Sequence, residues 1–211
     1  AYLTALTDEL KGAQASIVAA EAFNLTDPTV DSQIVRLAAT KADALLIGAT
    51  SRQTIQTLKK AAEIGWKPQM FVAYPAANVE RTYKVAGADL AKGAISSSVF
   101  KDPSDPAFAG DKDQKDYFAF MDQYYPKGDK LDTLNVAAYV EGQFFAEVLR
   151  RCGAELTRKN FLAKATTLGD YKAGMLRDAA LVRTEPSNYN IFRSMQLLQF
   201  DGARNVSIPT P

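Results

Sequence analysis

The chain has 211 residues, a formal net charge of +1, 47% hydrophobic and 23% charged residues. That bounds it to one large or two small domains with a real core, and the even scatter of Lys and Arg among acids leaves no basic field for nucleic acid. It has no histidine and one cysteine, which excludes histidine-activated nucleophiles, imidazole-ligated metals, internal disulfides and thiolate clusters.

The first residues, AYLTALTDEL, read as an amphipathic helix and not as a signal peptide. Three continuous apolar runs come next, Ile17–Ala20, Ala44–Ile47 and Met70–Ala73. Apolar residues without alternation predict parallel strands covered by helices on both faces. Between them lie two helical stripes, Val30, Ile34, Leu37 and Ala38, then Ile55, Leu58, Ala62 and Gly65. Asp31 or Thr29 is placed to cap the first, and Gly65 followed by Pro68 to end the second. Gly93–Phe100 is a fourth strand, and the alternation predicts an α/β, doubly wound layer with a mostly parallel sheet flanked by helices.

After Phe100 the pattern changes. Lys101–Lys115 reads as a crossing loop, and its acids Asp102, Asp105, Asp111 and Asp113 do not have the spacing of a calcium loop, so neither metal nor cofactor is expected. Helices are predicted at Gln114–Tyr125, Thr133–Arg151 and Thr157–Thr167, and strands at Ala179–Arg183 and Arg193–Phe200. The middle helix carries two apolar stripes, one with Leu134, Ala138, Phe145 and Leu149, the other with Ala137, Val140, Phe144 and Val148. Such a helix is built for burial on several sides, which this chain does not supply; a missing partner layer or a dimer through the helical region would do so. Cys152, at the end of that helix, reads as an inert buried thiol.

The strand at Ala44–Ile47 ends in Gly48-Ala49-Thr50-Ser51. In an open parallel sheet ligands sit outside the carboxyl ends of strands, where helix-start N–H groups favour an anion. Ala49, Thr50 and Ser51 are therefore candidate ligand-binding residues, Thr50 for the ligand and Ser51 more simply as a helix cap. There is no G-x-G-x-x-G, G-x-x-x-x-G-K-[ST] or G-x-S-x-G, so the chain is not read as an enzyme.

Five stretches, in order, resemble one family. They are Thr26-Asp27-Pro28-Thr29-Val30-Asp31-Ser32-Gln33-Ile34, Ala42-Asp43, Lys60-Ala61-Ala62-Glu63-Ile64-Gly65-Trp66-Lys67-Pro68, Lys101-Asp102-Pro103-Ser104-Asp105-Pro106 and Met195-Gln196-Leu197-Leu198-Gln199-Phe200-Asp201-Gly202. Together they are similar to the solute-binding proteins of ABC importers for branched-chain amino acids, the type I periplasmic binding proteins, over the later part of that family only. The resemblance implies a second, C-terminal α/β lobe from 1–97 and 174–211. It assigns 98–173 to a crossing loop and to helices of a first lobe whose sheet precedes this sequence, so that the chain is a fragment. It also implies export to the periplasm, a small-molecule ligand held between two lobes, and permease subunits as partners. A ligand sensor on the same fold is the alternative.

The resemblance places ligand contacts in the loops Gly48–Arg52 and Ala73–Asn78, hence Tyr74 and Pro75, and at the start of the long helix, Leu134 and Asn135, although core packing is the simpler reading of Leu134. Amino-acid carriers of this kind put an acid in the second loop to pair with the ammonium group. This sequence has Tyr74 there and no acid before Glu80. An unpaired buried ammonium costs several kcal/mol, so an aromatic or apolar carboxylate is the favoured ligand, with branched-chain amino acids next.

Overall fold

The computed structural model describes residues 2–169 and 171–209. Its sheet has five strands in the order β1-β2-β3-β4-β5: β1 (Ala44–Ile47), β2 (Gln69–Val72), β3 (Ile95–Ser98), β4 (Gln196–Phe200) and β5 (Asn205–Ser207). β1 pairs in parallel with β2 from Ala44↔Gln69 to Ile47↔Val72, and β2 pairs in parallel with β3 through Phe71↔Ile95. A turn closed by the Asp201 N–H on the Arg204 carbonyl joins β4 to β5 as a hairpin. The chain divides into two compact units, Ala1–Ser96 with Gln199–Arg204, and Ser97–Leu198 with Asn205–Pro211. The division falls inside β3 and β4.

In the first unit, helix α1 (Tyr2–Glu9) is followed by an irregular stretch, then α2 (Asp31–Ala39), β1, α3 (Ser51–Glu63) and β2. A 3-10 turn (Tyr74–Ala76), a π turn (Val79–Tyr83) and the short helices α4 (Lys84–Ala86) and α5 (Ala88–Ala91) lead into β3. Leu45, Ile47 and Val72 bury one side of the sheet against Leu58 of α3, Tyr83 and Phe200. The rings of Tyr83 and Phe200 lie 4.7 Å apart at their centroids. Val30, Ile34 and Ala61 extend this core, with Phe23 and Trp66 packed against it.

Four expectations change here. The run Ile17–Ala20 forms no strand and is exposed, with Val18 at 62%. The two residues after it are held to α2 instead, where Glu21 takes a two-pronged bond from Arg36 at 2.7–2.8 Å and the Ala22 carbonyl accepts from Gln33. The sheet is covered on one face only at β1 and β2, because Leu46 and Phe71 on the other face are 39% and 38% exposed. α2 has Val30 at its N-cap with no side-chain cap; Thr29 instead accepts from the Asp31 N–H, one residue too early to serve as the cap. In α3 the buried stripe is Gln53, Thr54, Thr57, Leu58 and Ala61, while Ala62 is exposed.

The end of α3 agrees with expectation. Gly65 sits at φ +70°, its N–H bonds the Ala62 carbonyl, and the Trp66 N–H bonds the Ala61 carbonyl. That is a Schellman motif, which only a residue comfortable in the left-handed region closes cheaply.

The second unit holds a 3-10 turn (Pro106–Phe108), α6 (Lys112–Tyr124), α7 (Thr133–Cys152) and α8 (Arg158–Ala165). Asp132 caps α7 by accepting from the Leu134 N–H at 3.0 Å, and Thr157 caps α8 by accepting from the Asn160 N–H at 3.2 Å. Of the two stripes of α7, the one with Val140, Phe144 and Val148 is buried, with Val136 in place of the half-buried Ala137, whereas Leu134, Phe145 and Leu149 of the other are 50%, 57% and 38% exposed. Cys152 is buried and in no disulfide. The Ala179–Arg183 strand reduces to one antiparallel bridge, Val182↔Phe192. Val99–Lys101 and Met175–Arg177 run side by side through the bridge Phe100↔Leu176, with the Arg177 Nε–H donating to the Phe100 carbonyl at 2.9 Å.

Candidate functional site

The carboxyl ends of β1 and β2 are fastened together. Their register pairs Ile47 with Val72, and the next rung is the Ala73 N–H on the Ile47 carbonyl at 3.0 Å. The loops that leave these strands therefore start side by side. The first runs Gly48-Ala49-Thr50 into α3; the second enters the 3-10 turn at Tyr74, closed by the Ala77 N–H on the Tyr74 carbonyl at 3.1 Å. Five of the residues picked from sequence, Ala49, Thr50, Ser51, Tyr74 and Pro75, are thereby gathered at one end of the sheet.

Their roles differ in detail from the expectation. Ala49 is half-buried and packs on the core of the first unit. Thr50, not Ser51, is the N-cap residue of α3, with extended backbone (φ −82°, ψ 171°). It makes no side-chain cap, because its hydroxyl is bonded to the Gln53 Oε1 instead. The first N–H groups of α3 have no intrahelical acceptor by geometry, so this helix start is free of the side chain that would ordinarily close it. Arg52 points away, its Nη2 donating to the Asp27 and Pro28 carbonyls at 3.3 and 3.1 Å. Tyr74 is half-buried and Pro75 exposed.

No carboxylate occupies either loop. The nearest in sequence, Glu80, lies in the π turn and is paired with Lys84 one helical turn on. Asn78, buried at 4%, accepts from the Arg81 N–H at 2.7 Å and so fixes the start of that turn. Beneath the loops lies a polar layer: Gln53, Thr54 and Thr57 of α3 and Thr82 of the π turn are each no more than 4% exposed. The hydroxyls of Thr54, Thr82 and Tyr83 have no hydrogen-bond partner among the described residues, and burial alone raises the Tyr83 phenol well above its ordinary pKa.

One residue was missed. Tyr2, read only as part of an amphipathic helix, lays its ring over the end of β1: a Cβ on Gly48 would stand 3.0 Å from Tyr2 Cδ2. Gly48 thus leaves the space that an aromatic ring half-fills, and the ring itself remains 50% exposed. Nothing in the sequence pairs positions so far apart; an aromatic residue opening a helix was the only trace.

Leu134 and Asn135 belong to the second unit. The Leu134 side chain is 50% exposed and not core. Asn135 spends its amide on the Asp129 carbonyl at 2.8 Å, which closes the turn before α7. The second unit also holds an open groove of about 630 Å³ lined by Thr166, Thr167, Gly169 and Leu181–Pro186, and none of the candidate ligand-binding residues lines it. Its polar groups face one another: Arg183 pairs with Glu185 at 2.7 Å, and the Thr184 hydroxyl donates to the Ala165 carbonyl. Among the described residues no group of His, Cys, Asp and Glu is arranged to hold a metal, and no helix is long and apolar enough to cross a membrane.

A family model for periplasmic binding proteins matches residues 1–204. The chain belongs to that family. No curated protein matches it. Among solved structures it is similar to a substrate-binding periplasmic protein from Ralstonia solanacearum, at 20% identity and a TM-score of 0.81 over 98% of this chain and 57% of that one. A possible leucine/isoleucine/valine-binding protein from Rhodopirellula baltica SH 1 matches at 14% identity and a TM-score of 0.77, over 99% and 55% of the two chains. A branched-chain amino acid ABC transporter protein from Thermus thermophilus, solved with bound valine, matches at 13% identity and 0.77 over 97% and 55%. These likenesses establish the fold, and the chain spans little more than half the length of each of these proteins.

Proposed function

We propose that this periplasmic binding protein chain is part of the solute-binding component of an ABC importer, working outside the cytoplasm with permease subunits as partners. It binds and releases a small organic solute without converting it. The ends of β1 and β2 supply one wall of the ligand site, and the observation that carries this reading is their juxtaposition through Ala73 and Ile47 next to an uncapped helix start. Thr50, Ser51 and the first N–H groups of α3 receive an anionic group. Ala49, Tyr74, Pro75 and Tyr2 supply the apolar wall. Leu134 and Asn135 are contacts implied by family resemblance.

The ligand favoured by this wall is an aromatic or apolar carboxylate without an amino group. A helix N-terminus stabilises an anion by about 0.3–2 kcal/mol, and an aromatic pair adds about 0.5–1.5 kcal/mol beyond area burial. An ammonium group would meet tyrosine where it needs a carboxylate, since Glu80 is committed to Lys84. Micromolar binding requires about 8 kcal/mol, so this wall supplies a minor share and the rest comes from elsewhere in the protein.

Thermal-shift measurements on the protein with benzoate, phenylacetate, leucine, isoleucine and valine test the assignment. Stabilisation by the aromatic acids is expected, and their recovery unchanged after incubation. Stabilisation by the branched-chain amino acids alone would show that the acid comes from another part of the site and that Tyr74 does not set the ligand class.

A further inference from the structure

Thr50-Ser51-Arg52-Gln53 has the pattern of a capping box, in which the threonine hydroxyl accepts from the backbone N–H of the glutamine and the glutamine side chain reaches back to the backbone N–H of the threonine. Neither bond is made among the described residues. The Thr50 hydroxyl donates to the Gln53 Oε1, so the two side chains satisfy each other and leave the helix start alone. The first N–H of α3 with a helical acceptor is that of Thr54, on the Thr50 carbonyl at 3.0 Å. Those of Ser51, Arg52 and Gln53 precede it and point out of the helix end.

Gln53 is only 2% exposed and lies in the buried face of α3 with Thr54, Thr57, Leu58 and Ala61. Glutamine is rarely enclosed so fully, and its polar atoms then need partners. The amide carries an acceptor on Oε1 and two donors on Nε2. Thr50 uses the acceptor, whereas the donors have no partner among the described residues. The orphan polar atoms sealed inside the first unit are the hydroxyls of Thr54, Thr82, Tyr83 and Ser96 and the Gln56 Oε1; the Gln53 Nε2 is not one of them, so it keeps an opening to the outside. The planar amide sets Nε2 beside Oε1, and Oε1 is on the N-cap hydroxyl. The free donors of Gln53 therefore stand at the same helix end as the free backbone N–H groups.

We propose that Gln53 is a specificity-determining residue of the ligand site: its Nε2 donates to one oxygen of the solute's carboxylate while its Oε1 holds the Thr50 hydroxyl away from the helix start. This role, which rests on the reading of this end of the sheet as a ligand wall, makes Gln53 the side chain that selects the sign of the ligand's charge. A carboxylate meets donors from backbone and side chain together, and such charge-assisted bonds are the strong ones.

The side-chain amide of Gln53 is observable by NMR in the whole chain, a test that needs no substitution. Its Nε2–H signals are expected to shift on titration with whichever of benzoate, phenylacetate, leucine and valine stabilises the protein. Gln53→Met, which keeps the bulk and loses the donors, is expected to weaken that binding at least about tenfold, as loss of a hydrogen bond to a charged group does. Gln53→Glu, with an acceptor where the donor stood, is expected to abolish it. Without ligand, Gln53→Met should release the Thr50 hydroxyl to cap α3 and slow hydrogen exchange of the backbone N–H at position 53 severalfold, and adding Thr50→Ala should restore fast exchange. Shifts with leucine or valine but not with the aromatic acids would keep Gln53 in this role while removing the aromatic ligand class. Stabilisation by aromatic acids with the Gln53 signals unmoved and Gln53→Met binding like the unsubstituted protein would keep that class and overturn the role of Gln53. A side-chain amide that no carboxylate moves overturns it too, and so does unchanged exchange at position 53 in Gln53→Met.

Discussion

Helices α3 and α7 answer the same physical question differently. α3 has one buried face, and that face is partly polar: Gln53, Thr54 and Thr57 are buried beside Leu58 and Ala61. Its remaining surface carries residues such as Arg52, Lys59 and Glu63, suited to water. α7 has two apolar stripes and buries one of them, leaving Leu134, Phe145 and Leu149 facing solvent. The composition of a helix states how many sides it is made to bury; the structure states how many partners this stretch of chain provides. For α3 the two agree. For α7 they do not, and its second stripe stays largely exposed, with the Phe145 ring against that of Phe161 in α8 at 5.5 Å.

The difference is measurable as stability. Leu58 is 1% exposed and in contact with the core on β1 and β2. Leu58→Ala is expected to cost about 2–5 kcal/mol in urea unfolding, the range for a buried leucine truncated in place. Phe145→Ala removes a larger side chain that is 57% exposed and touches the Phe161 ring, and is expected to cost no more than about 1.5 kcal/mol. A large cost at Phe145 would mean that its stripe is covered in solution.

The two helix starts provide a second, smaller contrast. Asp132 caps α7 directly, whereas the Thr50 hydroxyl is turned to Gln53 and caps nothing. Asp132→Ala should lower stability by about 0.5–2 kcal/mol. Thr50→Ala removes no cap and should cost only the hydroxyl's bond to Gln53, about 0.5–1.5 kcal/mol, while Thr50→Ser, which keeps that bond, should leave stability near wild type. Weakened ligand binding in Thr50→Ala is the readout a purely structural threonine would not show.

The smallest effect is in acid. Glu147 of α7 is held at about 2, below its ordinary 4.5, first by hydrogen bonds from Arg150 and Arg151. A carboxyl whose folded pKa is depressed adds stability above its unfolded pKa and loses it as the pH falls through the folded one. Thermal unfolding temperature should therefore fall between about pH 4.5 and 2, and Glu147→Gln should flatten that part of the profile. α3 lacks a counterpart: its Lys60–Glu63 pair leaves Glu63 66% exposed, and a pair of that kind contributes little.

Much of this was legible in the residues. The parallel β1-α3-β2 unit followed from two apolar runs separated by a helical stripe, and Gly65 followed by Pro68 marked the end of α3, where the structure closes a Schellman motif. The three helices of the second unit appear within about two residues of where periodicity put them. Ile17–Ala20 shows where pattern fails: an apolar run states a preference for burial and says nothing of which edge is occupied. The buried stripe of α3 was rotated because threonines facing the π turn are buried as firmly as leucine, and no hydropathy stripe anticipates that. At the site, the strand-end loops were legible because topology alone gathers them. Tyr2 was not, because its place depends on a ring meeting a glycine across the fold.

The division of the chain has a consequence for how it can be taken apart. Neither unit is a continuous piece of the polypeptide, since the backbone passes between them at Ser96–Ser97, Leu198–Gln199 and Arg204–Asn205. A single cut cannot liberate either one. Phe200, fully buried in the first unit's core, is delivered by a six-residue return from the far end of the sequence and held there by the Gly93 and Ala94 backbone at 2.8–2.9 Å. Ending this chain before Gln199 would therefore hollow out its first unit, and an autonomous version of that unit would need Gln199–Arg204 spliced back beside Ser96.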